Sequence, residues 1–152
     1  NFSPAHSIVD SRDLERTPMQ WNDTRFAGFS EVKPWLPVNK NHSFINVSTE
    51  KKIRYSTLNL HRNLLQLRQD SPILRDGSIE IIHSTGNGFV LGIKRELGTE
   101  RAYIFINFAD APQSFFIPED AEIIASTHPR YLILRKNQQL AVPGYCGVLL
   151  LA

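Results

Sequence analysis

The chain reads as three stretches of different periodicity. Residues 1 to about 48 hold no sustained period of 2 or 3.6; Pro, Asn, Ser and aromatic residues are interspersed irregularly. A loop of that length is uncommon in a compact domain unless it is functional or packed on a larger body. Phe26, Phe29, Trp35, Leu36 and Val38 need cover, so this segment is expected to lie against protein outside the chain. A helix is predicted next, at about residues 49–70. Ile53, Leu60, Leu64 and Leu67 fall on one helical stripe, which Leu58 and Leu65 widen, while Lys51, Arg54, Asn59, Arg62 and Arg68 take the other face. Thr49 or Ser56 is its N-cap, according to whether the first turn is continuous. Pro72 stops it, and Ser71 before the proline is pushed away from helical angles.

From Gly77 the period changes to 2. Strands are predicted at 77–84, 89–97, 101–109, 112–118, 121–127, 131–135, 139–142 and 148–152. Gly86-Asn87-Gly88 supplies a hairpin turn and Gly98-Thr99-Glu100 another. Short strands separated by regular turn signals predict an antiparallel sandwich.

Composition narrows the class. The 152 residues suit one domain, or a small domain with a piece of another. With 41% apolar and 21% charged residues, the chain is neither disordered nor collagen-like. The single cysteine, Cys146, allows no intrachain disulfide and no cysteine-type zinc site, and is expected to be a small buried apolar residue. A net charge of +2 without a basic cluster gives no reason to expect a nucleic-acid partner. Met19 is the only methionine and the first residue is Asn1, so an internal or C-terminal fragment of a longer protein is expected. Asn1, Asn22, Asn41 and Asn46 each open an Asn-x-Ser/Thr acceptor, where chance gives roughly one. They read as glycan sites on exposed loops of a secreted or extracellular-surface protein.

Candidate chemistry is sparse. There is no Gly-rich phosphate loop, no HExxH, no GxSxG elbow, and the five histidines show no metal spacing, so no metal and no cofactor are expected. Asp10, Asp13 and Glu15 lie close in sequence and read as solvated carboxylates rather than an acid–base pair. The informative stretch is Ser11-Arg12-Asp13-Leu14-Glu15-Arg16-Thr17-Pro18-Met19-Gln20-Trp21. Arginine forks onto carboxylates and hydroxyls through donors held in one plane, and tryptophan suits the apolar face of a sugar ring. That makes a sugar site one reading. Pairing of Arg12 and Arg16 with Asp13, Glu15 or Asp23 is the other, and both stand at this point.

This stretch, followed by Ala27-Gly28-Phe29-Ser30, Pro34-Trp35-Leu36-Pro37-Val38-Asn39 and Ile45-Asn46-Val47, closely resembles the α-glucosidases (maltases) of the α-amylase superfamily, glycoside hydrolase family 13. Leu64-Leu65-Gln66-Leu67-Arg68, then Pro72-Ile73-Leu74 with Gly77, and Ile106-Asn107-Phe108 continue the likeness along nearly the whole chain. The resemblance implies an α+β fragment: the end of a (β/α)8 barrel (long loop plus terminal helix), then an all-β antiparallel C-terminal sandwich domain. The implied domains are 1–73 and 74–152, with the missing N-terminal barrel packing on residues 1–73.

The implied activity is that of a secreted α-glucosidase releasing terminal α-linked glucose from maltose- or sucrose-like glucosides with retention. The family's catalytic carboxylates lie upstream and none of their motifs occurs here, so this chain alone is expected to be inactive. Family members hold the terminal glucose partly through an arginine paired with an upstream aspartate. Arg16 is the first choice for that residue and Arg12 the second, while Trp21 and Trp35 brace the loop or line the pocket rim. Arg25-Phe26 departs from the more usual Asn-like polar residues of the family. The alternative is a non-catalytic amino-acid transporter heavy-chain ectodomain of the same superfamily, which keeps the Arg-Thr-Pro-Met-Gln-Trp run. A stand-alone carbohydrate-binding module fits less well, because the strands carry no evident aromatic stripe.

Overall fold

A computed structural model describes residues 12–84, 89–129 and 132–152. The predicted Gly86-Asn87-Gly88 turn and the first residues of the strand predicted at 131–135 therefore lie in part or wholly outside the described residues. The chain divides between Arg62 and Asn63 into two compact units.

The first unit is mostly loop, tied by short turns. One 3₁₀ turn spans Arg12–Arg16, a second Arg25–Gly28 and a third Lys40–Ser43. Helix α1 covers only Val47–Glu50, and its N-cap is Asn46, whose side chain accepts from the Thr49 amide. Helix α2 covers Thr57–Asp70 and runs on through the division between the units.

The predicted helix at 49–70 is thus interrupted, and Ile53 lies outside α2 instead of heading its stripe. The cause is a set of side-chain bonds that hold the bend open. Ser56 Oγ accepts from the Asn59 amide at 3.2 Å, capping α2, and donates to the Glu50 carbonyl at 2.7 Å. Asn59 Nδ2 donates to the carbonyls of Glu50, Lys51 and Ile53. The Glu50 carboxylate accepts from the Leu58 amide, where a helix N-terminus favours negative charge. Of the two cap candidates, Ser56 begins the long helix.

The second unit opens with the rest of α2. Ser71 is extended (φ −107°, ψ 109°), and Pro72 then occupies the first turn of α3, Pro72–Asp76. Strands β1 (Glu80–Ser84), β2 (Val90–Leu97), β3 (Glu100–Asn107), β4 (Gln113–Phe116), β5 (Glu122–Ser126), β6 (Leu134–Lys136), β7 (Gln139–Val142) and β8 (Cys146–Leu151) follow. They form a five-stranded sheet ordered β1-β2-β3-β8-β5 and a three-stranded sheet ordered β4-β7-β6, all antiparallel.

The period of 2 explains the layers. Tyr103 and Phe105 of β3 share a buried cluster with Val148 and Leu150 of β8 and with Phe115, Leu140 and Val142 of the smaller sheet. The Phe105 and Phe115 rings lie 4.4 Å apart, joining the sheets. The neighbouring residues Ala102 and Leu149 face the other way and pack with Ile73 and Leu74 of α3. The sandwich expected from the turn spacing is present, and α3 covers the second face of its larger sheet. Cys146 is buried in the core and free.

On the exposed rim, Lys94 and Glu96 of β2 pair at 2.6 Å. The hydrogen bond from Lys94 holds the Glu96 carboxyl below its ordinary range, and the same bond raises Lys94.

Candidate functional site

The Arg-Thr-Pro-Met-Gln-Trp run leaves the first 3₁₀ turn at Arg16 and continues without regular structure through Trp21. Arg16 is exposed, and Pro18, two residues on, is buried. Two residues fasten the run. The Gln20 side-chain amide donates to the Ile45 carbonyl, and the Gln20 and Trp21 carbonyls accept from the amides of Val47 and Ser48 at 2.9 and 3.0 Å. The loop that carries Arg16 is therefore bound to the start of α1.

On its other side the run meets an unusual turn. The amides of Trp21 and Asn22 both donate to the Ala27 carbonyl. Phe26, Ala27 and Gly28 are consecutive left-handed residues, with φ of 54°, 57° and 64°. The left-handed region costs an ordinary L-residue roughly 1–2 kcal/mol. A side chain at Gly28 would be strained at this φ and would have to displace the Asn22 amide, since an added Cβ would lie 2.5 Å from Asn22 Nδ2. The Arg25 guanidinium stacks 4.6 Å from the centre of the Phe26 ring. Thr24, Arg25, Phe26, Phe29, Ser30 and Glu31 line an open cleft of about 370 Å³ at this turn. Aromatic faces beside a planar cation and hydroxyls have the chemistry to meet a polar-edged, apolar-faced ligand.

Of the residues singled out in the sequence, Asn1 and the side chain of Arg12 lie outside the described residues. Asp13 and Glu15 are exposed. Among the described residues no ion pair joins Arg16 to Glu15 or Asp23. Trp35 is 83% exposed and so left almost uncovered by this chain, whereas Trp21, at 49%, is about half covered. Asn46, by contrast, is 3% exposed. Three features of this unit were not anticipated: the left-handed triplet, the capping role of Asn46, and the tie from Gln20 to Ile45. Asn46 before a short polar run carried an N-cap signal. The triplet carried none, because two of its residues are not glycine.

The second unit holds a separate cleft of about 530 Å³ edged by Asp70, Glu100, Arg101, Asp120 and Glu122. Among the described residues no group of three His, Cys, Asp or Glu side chains is placed to hold a metal ion. No described helix is long and apolar enough to cross a membrane.

A family model described as the alpha-amylase catalytic domain matches residues 3–77. An oligo-1,6-glucosidase of Parageobacillus thermoglucosidasius is 34% identical over 88% of this chain and 22% of its own length. Maltase 1 of Drosophila virilis is 43% identical over 68% of this chain and 16% of its own length. The crystal structure of an isomaltulose synthase from Klebsiella sp. LX3 superimposes with a TM-score of 0.81 at 30% identity, over 93% of this chain and 26% of that one. The tied loop and the sandwich are thus those of an amylase-type chain. Within that class, the chain belongs to the α-amylase superfamily, beside its oligo-1,6-glucosidases and maltases. It spans only about a fifth of the first relative, 22% of the length.

Proposed function

We propose that this chain is the C-terminal part of a secreted α-glucosidase that hydrolyses terminal α-linked glucose in maltose- or sucrose-like glucosides with retention. The observation that carries the reading is the catalytic-domain match over residues 3–77, which contains the Arg16-Thr17-Pro18-Met19-Gln20-Trp21 run. Retention calls for two carboxyl groups about 5–5.5 Å apart, one attacking the anomeric carbon and one protonating the leaving oxygen. Both belong to the upstream barrel in this reading, and the 152-residue chain alone is inactive. This chain's part is to fix the non-reducing glucose through Arg16, whose loop is fastened by Gln20 and Trp21. Trp35, Phe44 and Val32, at 83%, 65% and 73% exposure, are the apolar surface that the barrel covers. Glycan acceptors, Asn41 among them, support passage through the secretory route.

The test is turnover of p-nitrophenyl-α-glucoside by the full-length protein and by its Arg16→Ala variant. Losing a charged hydrogen-bond donor to the sugar costs about 1.5–3 kcal/mol, so kcat/KM is expected to fall roughly 10- to 100-fold. Unchanged kinetics would move the role to Arg12. No turnover by the intact protein, with a single membrane span before the barrel, would support the transporter heavy-chain reading instead.

A further inference from the structure

Three of the four glycan acceptors lie among the described residues, and the fold treats them differently. Asn46 is 3% exposed, and both ends of its amide are committed. Its Oδ1 accepts from the Thr49 amide at 2.9 Å and its Nδ2 donates to the His42 carbonyl at 2.8 Å. Its second N–H is enclosed as well at that exposure, so a sugar on the nitrogen would have no open space to occupy.

Asn22 is half-buried and held at the oxygen end of its amide. Its Oδ1 accepts from the Thr24 amide at 3.0 Å and from the Thr24 hydroxyl at 2.6 Å. Its Nδ2 abuts Gly28 so closely that one added carbon on Gly28 would stand 2.5 Å away. In the folded chain the Thr24 hydroxyl is thus turned onto the Asn22 carbonyl oxygen, and the acceptor nitrogen faces the left-handed turn, where a sugar would collide with Gly28.

Asn41 is the opposite case. It sits in the 3₁₀ turn Lys40–Ser43, and its Nδ2 donates to no described residue. Its Oδ1 is buried without a hydrogen-bond partner, so the carbonyl end of the amide points inward. Ser43, the third residue of this acceptor, is exposed.

We infer that Asn41 is the glycan-bearing acceptor among these three, and that Asn46 and Asn22 are structural residues whose match to the acceptor pattern is incidental. In the modification, Asn41 Nδ2 attacks the anomeric carbon of a lipid-diphosphate-linked oligosaccharide. A C–N bond forms, the C–O bond to the diphosphate breaks, the amide gives up one proton, and the lipid diphosphate leaves. The inference rests on the secretory reading above.

The experiment expresses the full-length protein in secretory animal cells. Glycans are released with an amidase in heavy-oxygen water, which turns each occupied Asn into a labelled Asp for peptide mass spectrometry. The label is expected at Asn41 and absent from Asn22 and Asn46. Ser43→Ala, which removes the acceptor but keeps Asn41, should remove one glycan's mass. Ser48→Ala removes the Asn46 acceptor but keeps the capping side chain, and should change neither the mass nor the melting temperature. A labelled Asn46 or Asn22, or a bare Asn41 beside a labelled Asn1, overturns this inference and leaves the secretory reading in place. No label at any acceptor overturns both.

Discussion

Arg95 of β2 and Leu74 of α3 are joined inside the second unit: the guanidinium donates to the Leu74 carbonyl at the helix's C-terminal end. The same group donates to the Gly77 carbonyl at 2.6 Å and to the Ser78 carbonyl at 3.3 Å. Arg68 of α2 also donates to Leu74, so two arginines converge on one oxygen. Arg95 is 9% exposed, and its charge is met by helix-end carbonyls.

Arg95→Met keeps much of the volume and removes every donor. The orphaned carbonyls make this expensive, and a loss of about 2–3 kcal/mol is expected. Arg95→Lys should recover only part of it, because an ammonium cannot span carbonyls that a planar fork reaches together. Urea midpoints of the three proteins give the comparison. Equal midpoints for the methionine variant and the parent would remove Arg95 from the stabilising contacts.

Asn107 should be as sensitive. It is 1% exposed, and its Nδ2 reaches the carbonyls of Ala111, Val142 and Pro143 at 2.9, 3.2 and 2.9 Å. Its Oδ1 accepts from the Ala109 amide at 3.0 Å. One amide thus ties the end of β3 to the end of β7. Asn107→Asp replaces the donor with a charged acceptor facing three carbonyls, and is expected to cost more than Asn107→Ala. Thermal melts in parallel decide the order, and an aspartate variant more stable than the alanine variant would contradict the bonding pattern.

Gly144 and Gly147 make a matched pair. A Cβ on Gly144 would lie 2.1 Å from the Asp110 carbonyl oxygen, whereas one on Gly147 would meet only Thr127 Cγ2 at 3.5 Å. Gly144→Ala must displace backbone, at about 1–3 kcal/mol, while Gly147→Ala fits. Hydrogen-exchange protection across β3 and β8 should fall in the first variant only.

The Lys94–Glu96 pair sets a pH dependence. Glu96 is lowered in the folded state by the hydrogen bond from Lys94, with burial working against it and the charges of Lys94 and Arg101 adding to it. A carboxyl lowered on folding stabilises above its unfolded pKa and loses that contribution as pH falls through its folded pKa. Carbon-detected NMR titration should place Glu96 below a Lys94→Gln variant's value. The same midpoint in both proteins would refute the pairing.

The sandwich was legible because most of its connections carry glycine or proline and its strands alternate. The strand expected at 139–142 is β7, and that at 89–97 is β2 with one residue more. The strand expected from Gly77 starts later, at Glu80, because Gly77 is buried at the end of α3 with its carbonyl bonded to Arg95. The pattern alone leaves the helix start open between Thr49 and Ser56. Leu58 and Leu60 continue a helical stripe from Ile53, and only the Ser56 and Asn59 side chains, folding back on Glu50, overrule it. In the candidate site, the Arg16 run was readable as a motif. The turn that flanks it was not, since nothing in Phe26-Ala27 announces a left-handed backbone.

Strand β8 lies between β3 and β5, yet it follows both in the chain. Until residues 146–151 leave the ribosome, β3 has one bare edge and β5 has no neighbour at all. Synthesis therefore delivers the keystone last. Any stop codon before Cys146 yields two orphaned pieces of sheet instead of a slightly shorter domain, a product that quality-control machinery would meet with its hydrogen-bonding edges uncovered.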